Sequence, residues 1–280
     1  MPLEDDFCDI LKKSRVGQGL SVSDVSKMTG LSADEISSWE RGEPVRSRAE
    51  VQALAQALGL RAEPLGQIAI DQWEPQAQRQ PAWIHTIQGS VGGYGVQGYI
   101  VHDEGEAVVI DTGYNAPAII EALERYRLRL VGICLTHGHA DHAVGIDQLL
   151  TRQEVPVYLG GEDVGLLDWR PRSELLVEPR DGQVITVGRR AVRCVATPGH
   201  TPGGMCYQVD DRDDPVCFVG DTLFAGSIGR SNPSGLYAAH LDSVRMRVLT
   251  LPPQYGLLPG HGPATTVAEE RGHNPFFSVE

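Results

Sequence analysis

The motif Thr136-His137-Gly138-His139-Ala140-Asp141-His142 places three histidines and one aspartate within six residues. It ends an apolar run, residues 131–136, whose composition is typical of a buried strand. Imidazoles this close together repel one another when they are protonated, and as neutral rings they offer nitrogen lone pairs to a cation. The motif therefore predicts a metal site. Its mixture of histidine and carboxylate donors suits zinc, with iron and manganese as alternatives.

Three more polar residues stand at the ends of apolar runs outside this motif. His200 lies in the Pro/Gly turn of residues 195–203, and Asp221 ends an apolar strand within residues 218–224. His261 stands between two glycines after another apolar run. A rigid strand that ends in a glycine-flanked donor can aim that side chain at a shared centre. We therefore expect the four motifs to meet in space.

Strand-like and helix-like patterns alternate on either side of these motifs. Apolar runs at 84–87, 98–101 and 107–110 precede a helical segment, 115–127, and the alternation continues to the C-terminus. Such a chain predicts packed layers of sheet and helix, with the functional residues in loops at strand ends.

On these motifs, residues 83–280 resemble the metallo-β-lactamase superfamily, and in particular the compact glyoxalase II-like hydrolases. The resemblance implies a four-layer αββα sandwich for this region. It also implies two divalent metal ions, with zinc favoured. The implied ligands are His137, His139 and His200 for the first ion, Asp141, His142 and His261 for the second, and Asp221 as the bridge between them.

The implied activity is that of a dinuclear metal-dependent hydrolase. Two divalent ions lower the pKa of a water between them from ~15.7 towards ~7, which produces a metal-bridging hydroxide that attacks a carbonyl. Asp141 is the candidate catalytic residue, because a ligand that also accepts a hydrogen bond from the nucleophile can orient it. The predicted reaction is cleavage of an ester-like bond, a thioester first.

Two substrate-binding residues are predicted. The stretch 220–230 resembles glyoxalase II, and a basic residue at the position of Arg230 contacts the glutathione moiety in that family. Ser231-Asn232-Pro233 replaces the usual aromatic pair, and only 19 residues follow His261, so the extra C-terminal helical domain of long-form enzymes is not expected. Both departures argue against glutathione. Tyr94 lies in a glycine-rich segment, 89–95, that is either a mobile flap over the substrate or a plain β-turn.

The sequence is also compatible with three other functions. A persulfide dioxygenase uses the same fold with one iron, and the triad that it would need, His137, His200 and Asp221, is present. A lactonase shares the complete ligand set. A transcription regulator could use the metal domain to sense a ligand without turning it over.

The first 60 residues read as short helices separated by glycine-containing turns. Ser21 with Asp24, and Ser32 with Glu35, have the spacing of capping boxes. Together with the string Ile36-Ser37-Ser38-Trp39-Glu40-Arg41-Gly42, they resemble the phage-repressor type of helix-turn-helix domain. The whole chain is therefore expected to be α+β, with this small all-α domain at residues 1–63, a proline- and glutamine-containing linker at 64–82 and the sandwich at 83–280.

The negative charge of this domain is unusual for a DNA-binding domain. Residues 1–65 carry a net charge of −3, and the recognition helix begins with Ser32-Ala33-Asp34-Glu35, where polar or basic side chains should meet the duplex. DNA binding stays open, because the basic residues could still gather on one face. These residues are Lys12, Lys13, Arg15, Lys27, Arg46 and Arg48. We favour a role in association between chains, which predicts a homo-oligomer, or in shielding the rim of the active site.

The whole chain is acidic, with a formal net charge of −13. This excludes broad, non-specific affinity for nucleic acid or for anionic membranes, since both depend on basic surfaces. The N-terminus is acidic where a secretory signal would be basic and then apolar, and no apolar run approaches the ~20 residues of a membrane span. We expect a cytoplasmic protein that acts on a small molecule.

Overall fold

The computed structural model of the chain describes residues 1–45 and 47–278, so Arg46 lies outside the described residues. Its N-terminal part consists of five helices. These are α1 (Phe7–Gly17), α2 (Val22–Thr29), α3 (Ala33–Trp39), α4 (Arg48–Leu58) and α5 (Ala62–Ala69). The capping boxes predicted for α2 and α3 are confirmed: Ser21 and Ser32 each accept a backbone N–H from inside the helix, and the carboxylates of Asp24 and Glu35 accept the cap N–H in return.

The segment predicted as a linker, 64–82, begins inside a helix. Residues 64–69 belong to α5, and Leu65 and Ile68 are buried. Pro64 is compatible with the helix because it stands in the first turn, where a backbone N–H has no intrahelical partner. Proline in this segment was therefore a poor indicator of irregular structure. The stretch without regular elements is residues 70–83.

Two six-stranded sheets form the remainder of the protein. The first sheet has strand order β1-β2-β3-β4-β5-β6; β1 to β3 are antiparallel neighbours, and β3 to β6 run parallel. Its strands are β1 (Ile84–Val91), β2 (Tyr94–Asp103), β3 (Glu106–Ile110), β4 (Arg129–Cys134), β5 (Val157–Tyr158) and β6 (Leu176–Val177).

The second sheet has strand order β12-β11-β10-β9-β8-β7. Only β10 and β11 are parallel neighbours, and the other pairs are antiparallel. Its strands are β7 (Val184–Val187), β8 (Arg190–Ala196), β9 (Met205–Val209), β10 (Val216–Gly220), β11 (Gly256–Pro259) and β12 (Thr265–Thr266). By this topology β8, β10 and β11 all point the same way, so their C-terminal ends lie at one edge.

Apolar side chains define four layers. Tyr99 of β2 and Phe218 of β10 meet between the sheets with ring centroids 5.1 Å apart. Helices α6 (Ala116–Arg125) and α8 (Ile146–Arg152) cover the outer face of the first sheet. The second sheet is covered by α9 (Tyr237–Ser243), a π-helical turn at Val244–Val248 and α10 (Val267–His273). The predicted αββα sandwich is confirmed.

The N-terminal helices share a core with this outer layer. Buried Ile10 and Leu11 of α1 belong to the same apolar cluster as Val244 and Val267. Gly17 ends α1 so close to the ring of Tyr237 that a Cβ atom there would lie 2.3 Å from ring carbon Cδ2. The helices are therefore docked on the sandwich through a continuous core. None of the helices in the described ranges combines the length and the apolar character needed to cross a bilayer.

Candidate metal centre

All four sequence motifs reach the same edge of the sandwich. His137 and His139 follow β4, and Asp141 and His142 lie on the short helix α7 (Ala140–Ala143). The other three residues follow strands of the second sheet, whose C-terminal ends share this edge. They are His200 after β8, Asp221 after β10 and His261 after β11.

The structure brings all seven predicted side chains together. Three overlapping groups have donor atoms within 4.8 Å of one another. The groups are His137-His139-His200, His137-Asp141-His142 and His142-Asp221-His261. Nε2 of His200 lies 3.1 Å from Nδ1 of His139. On the other side, Nε2 of His142 lies 3.4 Å from Nε2 of His261.

The donor atoms fit a bound cation. Nε2 of His137 and Oδ1 of Asp221 are buried, and neither forms a hydrogen bond with any residue in the described ranges. An unsatisfied buried polar group costs about 1–3 kcal/mol. Coordination of a divalent cation would satisfy both atoms, and nitrogen and carboxylate oxygen are the donors that zinc and iron accept.

Hydrogen bonds on the outer side of each ring aim the histidines at the centre. Nδ1–H of His200 donates to the carbonyl oxygen of Arg230 at 2.7 Å, and Nδ1–H of His261 donates to that of Gly95 at 2.7 Å. Nδ1 of His137 lies 3.0 Å from the hydroxyl oxygen of Thr136. Such contacts set the tautomer and turn the other ring nitrogen towards the metal site.

Asp111 belongs to the candidate centre by its contacts, although the sequence motifs did not indicate it. One of its oxygens lies 2.8 Å from Nδ1 of His142, and the other accepts the backbone N–H of Thr136 at 2.7 Å. Asp111 is buried and has a φ of 53°, a left-handed conformation that costs energy in a non-glycine residue. Its position directly after the apolar strand β3 was the available signal.

Burial and charge set the ionisation of the site. Burial lowers the pKa of His200 to about 4 and that of His137 well below its usual range, so both rings are neutral. Burial by itself would raise the pKa of Asp221, but the neighbouring His142 and His261 outweigh it and hold that pKa well below its usual range. Burial would lower the pKa of His261, yet the Asp221 carboxylate raises it to about 9. A proton on His261 would thus compete with a cation.

A cavity of about 340 Å³ opens above these residues. Arg230 and Tyr94, the predicted substrate-binding residues, both line it. The segment before Tyr94 is a tight hairpin turn at Gly92 and Gly93 between β1 and β2, as the plain-turn alternative predicted. The cavity wall also contains Glu4, Asp5 and Lys13. The N-terminal part therefore borders the metal centre, in line with the predicted role in shielding the rim, although no sequence motif indicated which of its residues would do so.

Comparisons with known proteins agree with this architecture. A family model described as "Metallo-beta-lactamase superfamily" matches residues 91–268, and one described as "Helix-turn-helix domain" matches residues 8–65. An uncharacterized protein of Aquifex aeolicus is 38% identical over 201 residues, which cover 66% of this chain and 93% of the relative.

Two further relatives have informative names. Hydroxyacylglutathione hydrolase GloC of Haemophilus influenzae is 31% identical over 191 residues, 63% of this chain and 89% of the relative. The crystal structure of the BLEG-1 B3 metallo-beta-lactamase superposes with a TM-score of 0.60 and 30% identity, covering 70% of this chain and all of that one. The chain therefore belongs to the metallo-β-lactamase superfamily, as a metal-dependent hydrolase that carries a helix-turn-helix domain at its N-terminus.

Proposed function

We propose that the protein is a dinuclear hydrolase that cleaves an ester-like bond, a thioester in the first instance. The observation that carries this proposal is the placement of the Asp221 carboxylate. Its Oδ1 lies 3.3 Å from Nε2 of His142, and its Oδ2 lies 3.6 Å from Nε2 of His200. One carboxylate thus faces both groups of histidines, as a residue shared by two ions must.

This arrangement supports the ligand assignment that the resemblance implies. His137, His139 and His200 would hold one ion, and Asp141, His142 and His261 the other, with Asp221 between them. When bound, the ions supply Lewis acidity and lower the pKa of a water towards ~7. Zinc is the favoured metal because the donors are mostly imidazoles, with iron or manganese as alternatives.

Asp141 is suited to orient the attacking water. Its Oδ2 lies 3.2 Å from Nε2 of His261, and its side chain is 29% exposed, so the carboxylate borders both the ion site and the cavity. A carboxylate in this position accepts a hydrogen bond from the nucleophile and fixes its direction of attack. Arg230 and Tyr94 would contact the substrate from the cavity wall.

In this proposal the main role of the helix-turn-helix domain is to associate chains or to shield the rim of the active site, and not to bind DNA. Two of the basic residues that could have met a duplex are engaged inside the protein, because Lys13 pairs with buried Asp5 and Arg15 pairs with Glu40. Arg48 is paired as well, with Asp71. Few free cations therefore remain among the described helices for phosphate contacts. The domain boundaries at 63 and 83, and the association of chains, remain predictions.

One experiment tests the proposed reaction. Protein purified without chelator should contain about two metal ions per chain and should hydrolyse thioesters in a screen that also includes lactones and β-lactams. Faster turnover of a lactone than of a thioester would assign the enzyme to lactone substrates and leave the proposed dinuclear mechanism unchanged. One iron per chain, with oxygen consumption on a persulfide, would replace the hydrolase with the dioxygenase.

A further inference from the structure

We propose that α1 of the helix-turn-helix domain forms one wall of the substrate cavity, and that Lys12 on this helix, together with Arg230, binds an anionic tail of the substrate. The inference rests on the proposed cleavage of an ester-like bond, and it names the class of substrate: an acyl thioester whose leaving group or acyl chain ends in a carboxylate.

A second cavity lies beside the one above the metal centre. It has a volume of about 180 Å³ and separates α1 from the segment 228–237. Lys13 and Arg230 line both cavities, so the two adjoin. A substrate with its reacting carbonyl over the metal centre could therefore extend its far end between α1 and this segment. The polar groups along this path that carry charge are Asp9, Lys12, Lys13 and Arg230.

The wall that α1 provides is firmly attached to the sandwich. Nζ of Lys13 donates to the carbonyl oxygen of Ile228 at 2.9 Å and to the carboxylate of Asp5 at 2.5 Å. The same carboxylate accepts the hydroxyl of Ser227 at 2.5 Å. At the other end of the helix, Gly17 packs directly on the ring of Tyr237. The cavity is thus a fixed feature and not a gap between two independent bodies.

The charge available to a ligand is positive. Lys13 is paired with Asp5, so the charges left on the cavity walls are the Asp9 carboxylate, which caps α1, and the cations Lys12 and Arg230. Lys12 and Arg230 are exposed, and neither forms an ion pair with any residue of 1–45 or 47–278. Two cations without an ion pair, on opposite walls of one small cavity, outnumber the single carboxylate of Asp9 and favour an anion.

Two thioesters that differ in one group test the selection. Full-length metal-loaded protein is given the benzoyl thioester of 3-mercaptopropionate and that of 3-mercaptopropionamide. We expect kcat/KM to be about ten-fold higher for the carboxylate thioester than for the amide, mainly through a lower KM. The amide lacks the charge that forms a charge-assisted hydrogen bond with Lys12 or Arg230, and loss of such a contact lowers affinity by about this factor. Lys12→Gln and Arg230→Gln should each bring the ratio of the two kcat/KM values close to one. Lys27→Gln, on exposed α2 and away from both cavities, is the matched control.

A binding measurement separates this proposal from the proposed reaction. Propanesulfonate, an anion that coordinates metals weakly, should show ligand-observed NMR contact with the wild type and lose it in the Lys12→Gln/Arg230→Gln double variant. Sulfonate binding without thioester turnover would contradict the proposed thioester hydrolysis and support the proposed anion site. Turnover of both thioesters at equal kcat/KM, with no sulfonate contact, would overturn the anion site and keep the reaction.

Discussion

The Nδ1 atom of His142 lies 2.8 Å from a carboxylate oxygen of Asp111, and both side chains are buried. This contact joins the metal-binding loop to the end of β3. Because Asp111 also accepts the backbone N–H of Thr136, it holds both the chain that carries the histidines and the ring of one of them. A carboxylate in such a position raises the basicity of the ring and fixes its tautomer.

Replacement of this carboxylate should weaken metal binding without removing a ligand. We expect Asp111→Asn to lower metal affinity about 10- to 100-fold, because the amide cannot accept from both His142 and Thr136 as the carboxylate does. Competition with a chromophoric chelator measures the affinity. Asp147→Asn, on the exposed face of α8, should bind metal like the wild type. Equal affinity in both variants would show that Asp111 has no part in the centre.

Removal of the shared carboxylate should have a larger effect than removal of one histidine. We expect Asp221→Ala to lose nearly all bound metal and activity, whereas His261→Ala should retain about one ion per chain, because His261 would serve only one site. Elemental analysis of both purified variants measures this difference. The same metal content in the two variants would mean that Asp221 does not bridge.

The contact between Gly17 and Tyr237 should make alanine unfavourable at the end of α1. Alanine normally stabilises a helix relative to glycine by roughly 0.5–1 kcal/mol. At position 17 its Cβ would lie 2.3 Å from the tyrosine ring, so we expect Gly17→Ala to lower the free energy of unfolding by about 1–3 kcal/mol.

Urea unfolding of the metal-loaded protein measures this change. Gly235→Ala provides the control, because a Cβ atom at that position has no neighbour within 4 Å. If Gly17→Ala is as stable as the wild type, α1 is not docked on the sandwich in this way.

Stability should depend on pH through Glu270, which is buried in α10. Burial raises the pKa of its carboxyl to about 7, even though Thr265 donates a hydrogen bond to it at 2.8 Å. The folded state thus holds this proton more tightly than the unfolded chain, whose pKa is 4.5. The resulting stabilisation is complete below pH 4.5 and is lost as the pH rises through about 7.

The variant Glu270→Gln isolates this contribution. The difference between its unfolding free energy and that of the wild type should change by at most about 3 kcal/mol between pH 4.5 and pH 7. Urea unfolding over that range measures it, and other titrating groups cancel in the comparison. A difference that is constant with pH would show that Glu270 ionises normally.

Full-length protein should bind DNA poorly. Exposed Asp34 and Glu35 begin α3, and phosphate contacts normally supply much of the affinity of such a domain. We expect no specific mobility shift of a duplex from the native promoter region at about 50 mM salt. Asp34→Lys, which reverses one charge at the start of α3, should increase non-specific binding. A specific, salt-sensitive shift by the wild type would make the protein a regulator.

Local sequence was sufficient for much of the fold. The capping serines of α2 and α3 act on backbone groups three residues away, so their pattern can be read without any tertiary contact. Local sequence did not predict the structure around Pro64. Proline is compatible with a helix only in its first turn, and the start of α5 at Ala62 cannot be inferred from the neighbouring residues alone. The burial of Leu65 and Ile68, which favours this start, comes from packing.

The local sequence was enough to identify the side chains that gather at the candidate metal centre, because each stands in a short motif at the end of a strand and the two sheets bring those ends to one edge. The residues that surround these side chains depend on long-range packing instead. Asp111 lies 31 residues from its partner His142, and Asp5 lies 222 residues from Ser227. Contacts of this separation leave no periodic or local pattern, since they depend on how whole elements dock. The contribution of Lys12 and Lys13 to the cavity wall therefore depends on how α1 docks on the sandwich, which no local pattern in the sequence predicts.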